Sequence, residues 1–145
     1  VLGTLLRRGL SRSDATPLPP AVEQRWAAAW GEEAVRAARR AIVRRPPLDL
    51  SFRDATAAQA FAAEVGALLL ADRHVRLSDQ RPVTALPGFE DGSWWVQDLA
   101  AALPARLIPP TATEVLDACA APGGKTMQLA AAGHAVTALD RSQSR

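Results

Sequence analysis

The sequence predicts an α/β protein, and three observations support this class. Apolar side chains recur every three or four residues near the N-terminus, as in helices. Further along they alternate with polar residues or form short runs, as in strands, and proline pairs at residues 19–20 and 46–47 divide the chain. We therefore expect a helical, basic lead-in over residues 1–46, a small α+β module over residues 47–97, and the start of a larger α/β domain over residues 98–145.

The lead-in is predicted to contain two helices separated near Gly31. Pro20 suits the first position of a helix, where a backbone N–H has no intrahelical partner. Apolar residues at helical spacing mark the two helices: Val22, Trp26, Trp30, Val35, Ala38 and Ile42. We interpret the two tryptophans as packing anchors. Arginines largely occupy another face of the second helix: Arg36, Arg39, Arg40 and Arg44.

The module over residues 47–97 begins with an alternating segment. Leu48, Leu50 and Phe52 alternate with polar side chains, which indicates a half-buried strand. Asp54 is expected to cap the following helix. The predicted buried face of that helix consists of Phe61, Val65, Leu68 and Leu69. Residues 74–78 and 82–86 are further strand candidates, so the module is predicted to be of the ferredoxin or RNA-recognition type.

The last region is predicted to be a strand–turn–helix–strand unit. A helix over residues 98–107, which Pro104 should kink, leads into a strand that begins at Val115. The turn, the second helix and the second strand are expected over residues 119–124, 125–132 and 135–139. Asp140 then stands at the carboxyl end of the second strand.

This unit has the properties of a cofactor site. In open α/β sheets, ligands bind at the carboxyl ends of the strands. Gly123 and Gly124 let the backbone approach a ligand closely, and the helix that follows offers N–H groups at its N-terminus. A carboxylate such as that of Asp140 suits the two hydroxyls of a ribose. The pattern therefore predicts an adenosine-containing cofactor.

Three kinds of cofactor site compete for the turn. A phosphate-binding loop would need a glycine where the chain has Cys119, and a dinucleotide fingerprint needs spaced glycines, whereas Gly123 and Gly124 are adjacent. The S-adenosylmethionine site of a Rossmann-like methyltransferase has a looser glycine pattern and fits. An ordinary turn without a ligand is the alternative. The full run from Asp117 to Thr126, followed by Asp140, favours the cofactor site.

The run Asp117-Ala-Cys-Ala-Ala-Pro-Gly-Gly-Lys-Thr126 resembles the first cofactor motif of the Sun/Fmu class of RNA (cytosine-5-)methyltransferases, which act on small-subunit ribosomal RNA. Residues 86–98 and 19–31 are similar to upstream segments of these enzymes, so the resemblance covers most of the chain from about Pro19. It implies that Asp140 binds the ribose of S-adenosyl-L-methionine. It also implies that seven turn residues surround the methionine and sugar portions: Cys119, Ala120, Ala121, Pro122, Gly123, Gly124 and Lys125.

The family's nucleophile is not found in this chain. The resemblance implies a cysteine thiolate that attacks C6 of cytosine, from Pro-Cys or Thr-Cys motifs downstream of the ribose acid. Cys119, the single cysteine, belongs to the cofactor turn, so we predict a cofactor-lining role for it and a nucleophile beyond Arg145. The start at Val1 and the two expected strands of about seven are interpreted as signs of a fragment, inactive alone.

Composition and charge are compatible with an RNA enzyme. The chain is 48% hydrophobic and 22% charged, and no apolar run approaches the ~18 residues of a membrane helix, so a cytoplasmic location is predicted. Residues 1–53 hold ten Arg against five acidic residues. The arginine-rich helix face is either an RNA phosphate contact or a solvated surface. Lys125 is the only lysine, which indicates that an ammonium group is needed at the turn.

The sequence also bears on other sites and functions. His74 and His134 stand alone, so no metal site is predicted. Low aromatic content argues against base stacking on the module, which we expect instead to position RNA beside the catalytic domain. The alternative function is a non-catalytic RNA-binding or ribosome-assembly module that retains the cofactor turn. A nucleotide-dependent enzyme is a more distant possibility.

Overall fold

The computed structural model describes residues 17–79 and 81–141, which fall into two compact units divided between Pro46 and Pro47. Residues 1–16 of the predicted basic lead-in lie outside the described residues, as do residues 80 and 142–145. The predicted boundary between residues 97 and 98 stays a prediction.

The first unit contains one interrupted helix, α1 (Pro20–Ile42). Gly31 has φ 82° and ψ 164°, so the helix breaks there, which confirms the predicted division into two helices. An ion pair joins Arg39 to Glu23, on opposite sides of the break. Sixteen residues of straight helix would separate them by about 24 Å, so the second half folds back toward the first. Trp26 packs edge-on against Trp30, with ring centroids 5.5 Å apart.

The second unit begins with a four-stranded antiparallel sheet and one helix. Its elements are β1 (Leu48–Phe52), α2 (Ala55–Val65), β2 (Leu68–Ala71), β3 (His74–Leu77) and β4 (Trp94–Val96). The strand order is β2-β3-β1-β4, so β3 lies between the two strands that α2 connects. Asp54 caps α2 by accepting the Ala57 N–H at 2.7 Å, as predicted.

Two predicted elements of this unit are wrong. Leu68 and Leu69 lie in β2, not on the buried face of the helix, and are 60% and 44% exposed. The helix ends first because Gly66 adopts a left-handed φ of 69°. Residues 82–86 contain a 3-10 turn (Val83–Ala85) instead of a strand, since Pro82 cannot donate to a sheet ladder. The strand that pairs with β1 there is β4.

One face of the sheet packs on α2 to form the hydrophobic core. The core residues are Leu50, Phe52, Ala58, Phe61, Ala62, Val75, Leu77, Leu86 and Trp94. Phe61 contacts both Phe52 and Trp94, with ring centroids 5.2 and 6.2 Å away. Because aromatic rings bury large areas, this cluster accounts for much of the stability of the module.

The opposite face of the sheet is polar and also buried. Asp49 and Ser51 are 2% and 4% exposed, so β1 is covered on both sides and the predicted half-buried strand is wrong. The covering elements are α3 (Leu99–Arg106) and α4 (Gly124–Ala131). Hydrogen bonds connect the layers, among them Leu99 N–H to Asp49 at 3.2 Å.

The predicted strand–turn–helix–strand unit is present. β5 (Glu114–Asp117) and β6 (Ala135–Ala138) form a parallel pair, and α4 connects them. Asp98 caps α3, which contains Pro104 and ends at Arg106. Among the described helices, none is long and apolar enough to cross a membrane.

Candidate cofactor-binding site

A tight turn carries the chain from β5 into α4. The Gly123 N–H donates to Ala120 O at 2.6 Å and closes the turn. Gly123 is the N-cap of α4 and has φ 102°, a conformation that L residues with a side chain rarely adopt. Glycine is therefore required at this position by the backbone itself. The turn also places the N-terminus of α4, with its backbone N–H groups, beside the strand ends.

A cleft of about 250 Å³ opens against this turn. Six of the eight sequence-predicted site residues line it: Cys119, Ala120, Ala121, Pro122, Gly124 and Lys125. Gly123 shapes the turn without lining the cleft. Cys119 is exposed. The structure thus brings the residues of the motif to one surface at the carboxyl end of β5.

Asp140 lies next to the turn but outside the lining of the cleft. Its Oδ2 accepts the Ala121 N–H at 2.9 Å, and Leu139 O accepts the Ala120 N–H at 2.9 Å. These two contacts attach the turn to the end of β6. The carboxylate of Asp140 therefore stands at the carboxyl ends of both parallel strands.

Further residues of the cleft were not identified from the sequence. Asp117 lines it and fixes the turn, since its carboxylate accepts the Thr126 hydroxyl at 2.7 Å and the Cys119 N–H at 3.4 Å. Val96, Gln97, Asp98 and Ala101 complete the wall. Asp117 is the first residue of the cofactor motif, so the sequence could have identified it as a site residue. The other four come from a distant segment, and the sequence gives no sign that it meets the turn.

Gln97 connects the sheet to the turn. Its side chain is 6% exposed, accepts the Trp95 indole N–H at 2.8 Å and donates to Gln128 at 2.9 Å. Gln128 in turn donates to Ala102 O of α3 at 3.0 Å. A Cβ on Gly124 would meet the Gln97 side chain at 3.5 Å, in ordinary contact. Two side-chain amides, the buried Gln97 and the half-buried Gln128, therefore connect α4 to the sheet and to α3.

A buried ion pair lies behind this amide chain. Asp49 accepts two hydrogen bonds from Arg76, at 2.7 and 2.8 Å. Burial alone would raise the pKa of Asp49, but the bonds from Arg76 and the Leu99 N–H outweigh burial and hold this pKa below its usual range. His74 is fully buried, with Nδ1 2.9 Å from the Ser51 hydroxyl and Nε2 3.5 Å from Asp49. Burial lowers the pKa of His74, although Asp49 opposes this.

The residues at the turn fit part of an adenosine-containing cofactor. A cleft of about 250 Å³ is slightly below the ~300 Å³ at which whole-ligand pockets begin, so it would hold one portion of the molecule. Carboxylates of Asp98, Asp117 and Asp140 can accept hydrogen bonds from amino or hydroxyl groups. Lys125 supplies a cation. Within residues 17–79 and 81–141, no three His, Cys, Asp or Glu side chains are grouped so as to hold a metal ion.

Part of the chain is similar to curated ribosomal RNA methyltransferases. Ribosomal RNA small subunit methyltransferase B of Shigella boydii serotype 18 is 52% identical over 56 residues, which is 38% of this chain and 13% of that protein. The protein of the same name from Cronobacter sakazakii is 47% identical over 74 residues, 49% of this chain and 17% of that protein. The match therefore spans less than a fifth of the length of these relatives. No family model matches the chain.

Solved structures share the fold. A methyltransferase homologue from Pyrococcus horikoshii has a TM-score of 0.71 over 99% of this chain and 48% of that one, at 25% identity. The crystal structure of PH0851 has a TM-score of 0.73 over 97% of this chain and 37% of that one; at 18% identity it shows the fold alone. The mixed α/β class is confirmed, and the predicted resemblance to Sun/Fmu-type methyltransferases is confirmed at the level of a fragment.

Proposed function

We propose that this chain, which is similar over part of its length to Sun/Fmu-type methyltransferases, binds S-adenosyl-L-methionine. It would do so within an enzyme that methylates C5 of a cytosine in RNA, with small-subunit ribosomal RNA as the substrate. One observation carries the proposal. The turn over residues 119–125 lies at the carboxyl ends of two parallel strands, with the Asp140 carboxylate hydrogen-bonded to it. That placement is where open α/β sheets bind ligands.

The residues of the turn have separate roles in this proposal. S-adenosyl-L-methionine would supply the methyl group. Lys125 can bind its carboxylate, and Asp140 can accept hydrogen bonds from its ribose hydroxyls. Asp117 holds Thr126 and the Cys119 N–H, so it keeps the turn in shape. Backbone N–H groups at the start of α4 add positive potential on the same side.

We infer that Cys119 lines the cofactor and is not the nucleophile. Its N–H is held by Asp117, and its side chain borders the same cleft as Lys125. Addition to C6 of cytosine needs an activated thiolate beside the base, whereas Cys119 lines the proposed cofactor cleft. The proposed nucleophile is therefore a cysteine outside this chain.

The two parts of the second unit are proposed to be different modules. Residues 98–145 would belong to a Rossmann-like methyltransferase domain, and residues 47–97 to a ferredoxin or RNA-recognition type module. The polar face of that module's sheet is covered near Asp49 and Gln97 by α3 and α4. Because RNA-recognition sheets stack bases on this face, the module is expected to position RNA rather than to stack it across the whole sheet.

The basic face of α1 is a proposed RNA contact. Arg36 and Arg40 of α1 are exposed, as is Arg44, which follows the end of the helix at Ile42 and does not lie, as predicted, on its face; Arg39 is paired with Glu23. RNA affinity depends largely on the neutralisation of phosphates by such side chains. We therefore assign the contact to the three exposed arginines and exclude Arg39 from it.

Product analysis tests the proposed function. A complete enzyme containing this chain is incubated with ribosomal RNA and cofactor labelled at the methyl group, and the RNA is digested to nucleosides for mass spectrometry. The label should appear in 5-methylcytidine, and Cys119→Ser should retain part of this activity. Label in another nucleoside would contradict the cytosine assignment. Absence of label, with cofactor and RNA binding intact, would favour the non-catalytic RNA-binding or ribosome-assembly module.

A 5-fluorocytosine substrate tests the role of Cys119 separately. A base of this kind traps a covalent adduct on the cysteine that attacks C6. We expect the adduct on a cysteine other than Cys119. An RNA adduct mapped to Cys119 by peptide mass spectrometry would contradict its assignment to the cofactor turn.

A further inference from the structure

A second cleft, of about 350 Å³, lies in the second unit between the polar face of the four-stranded sheet and the ends of α3 and α4. It is separate from the cofactor cleft, with which it shares no lining residue. The polar and aromatic residues that line it include Ser51, Asp72, Arg73, Trp95, Arg106 and His134. The volume falls within the range of ligand-binding pockets.

The register of the sheet explains why the cleft is open here. Ser51 pairs with Trp95 across β1 and β4 and with His74 across β1 and β3, so these side chains share the polar face. Two residues away on the same strands, Asp49 accepts the Leu99 N–H of α3 and Gln97 donates to Gln128 of α4. Asp49 and Gln97 are therefore covered by α3 and α4, whereas the cleft reaches the face at Ser51 and Trp95. Trp95 is half-buried, while Ser51 and His74 beside it are buried.

The cleft combines an aromatic ring with an excess of positive charge. The Trp95 indole N–H is bonded to Gln97 at 2.8 Å, which fixes the ring. Arg73 donates to Ala131 O at 3.1 Å and is thereby held at the C-terminal end of α4. The lining contains two guanidinium groups, those of Arg73 and Arg106, and one carboxylate, that of Asp72, so its net charge is positive. A fixed ring beside two cations suits a ligand that carries both a flat base and a phosphate.

We propose that this cleft binds one nucleotide of single-stranded RNA, with its base against Trp95 and its phosphate at Arg73 and Arg106. The inference rests on the proposed function and adds to it a positioning site for the same substrate. The site lies at the C-terminal end of α4, whereas the cofactor turn lies at the N-terminus of the same helix. Base stacking would then be confined to this one ring, in keeping with the covered remainder of the sheet face.

The test measures RNA binding by the full chain. A fluorescein-labelled single-stranded RNA of ten nucleotides is titrated with protein, and anisotropy gives the Kd. Arg106→Glu should raise the Kd at least fivefold and reduce its salt dependence. Arg53→Glu is the matched control, because Arg53 is exposed, carries the same charge and lies outside the cleft; it should change the Kd less than twofold.

The role of the ring is tested by a second pair of variants. Trp95→Ala should raise the Kd about tenfold, whereas Trp95→Phe, which keeps a stacking surface, should change it only slightly. Thermal melting of both variants shows whether either is unfolded. If Trp95→Ala is unfolded, the RNA affinities of Trp95→Phe and Arg106→Glu decide the outcome. S-adenosyl-L-methionine affinity should be unchanged in Arg106→Glu. Equal RNA affinity for Arg106→Glu and Arg53→Glu would overturn the site, while unchanged cofactor binding would leave the proposed function intact.

Discussion

Replacement of Asp49 by alanine is expected to destabilise the second unit strongly. The Asp49 side chain is 1% exposed and accepts two hydrogen bonds from Arg76 and one from the Leu99 N–H. Its removal leaves the Leu99 N–H at the start of α3 without this acceptor and leaves Arg76 without its partner. Since α3 and α4 cover the sheet through this layer, the change should loosen the wall that supports the cofactor turn.

The expected loss is about 3 kcal/mol in the free energy of unfolding. Breaking a buried ion pair by removing one partner costs about 3–5 kcal/mol. The lower end applies here because the Arg76 side chain is 34% exposed and can be hydrated again. With a urea m-value of about 2 kcal/mol per M, the midpoint of unfolding should fall by about 1.5 M.

Urea unfolding followed by circular dichroism measures this change. Asp79→Ala is the matched control, because Asp79 also pairs with an arginine, Arg81, but is exposed. Exposed ion pairs contribute little to stability, so this control should behave like the unmodified chain. Equal midpoints for Asp49→Ala and Asp79→Ala would refute the reasoning, since the buried pair would then contribute no more than a surface pair.

Three further predictions concern the buried histidine, the basic helix and the turn. Burial lowers the pKa of His74, so its imidazole takes up a proton more readily in the unfolded chain than in the folded one. The free energy of unfolding should therefore fall as the pH drops below about 6.5, by up to about 1.4 kcal/mol per pH unit. Urea unfolding at several pH values measures this slope, which His74→Asn should flatten. An equal slope in both proteins would contradict the assignment. Glutamate at Arg36, Arg40 and Arg44 together should reduce the log–log salt slope of RNA binding by about 2 and leave cofactor affinity unchanged; an unaltered slope would mean that this face is only solvated. Gly123→Val should abolish cofactor binding in calorimetry, whereas Gly92→Val, which strains a similar left-handed position (φ 62°) away from the cleft, should not.

Local signals in the sequence predicted several elements correctly. Asp54 caps α2, and Gly31 interrupts α1, because side-chain capping and glycine conformation depend on neighbouring residues only. The strand–turn–helix–strand unit was predicted from glycine positions and short apolar runs. The structure adds that Asp140 bonds directly to the turn, through Ala121.

Contacts between distant segments could not be predicted. Asp49 and Ser51 look like the solvent side of an alternating strand, yet both are buried because α3 and α4 cover them. Leu68 and Leu69 continue the apolar spacing of α2, but Gly66 ends that helix and the pair joins an edge strand. The first error arises because tertiary packing decides which face of a strand is buried. The second has a local cause, since the left-handed glycine at position 66 ends the helix although the apolar spacing continues.

Calorimetric titration of S-adenosyl-L-methionine into the chain tests the central claim most directly. The unmodified chain should bind the cofactor, and Asp140→Asn should weaken binding by about 1.5–3 kcal/mol, or roughly 10- to 150-fold. The loss is expected because a ribose hydroxyl loses a charged acceptor. The amide oxygen of the asparagine can still accept the Ala121 N–H, so the turn should keep its shape. Asp91→Asn, the same change at an exposed residue outside the cleft, should leave affinity unaltered. No binding by the unmodified chain, or equal affinity for Asp140→Asn and Asp91→Asn, would contradict the assignment of this turn and Asp140 to the cofactor.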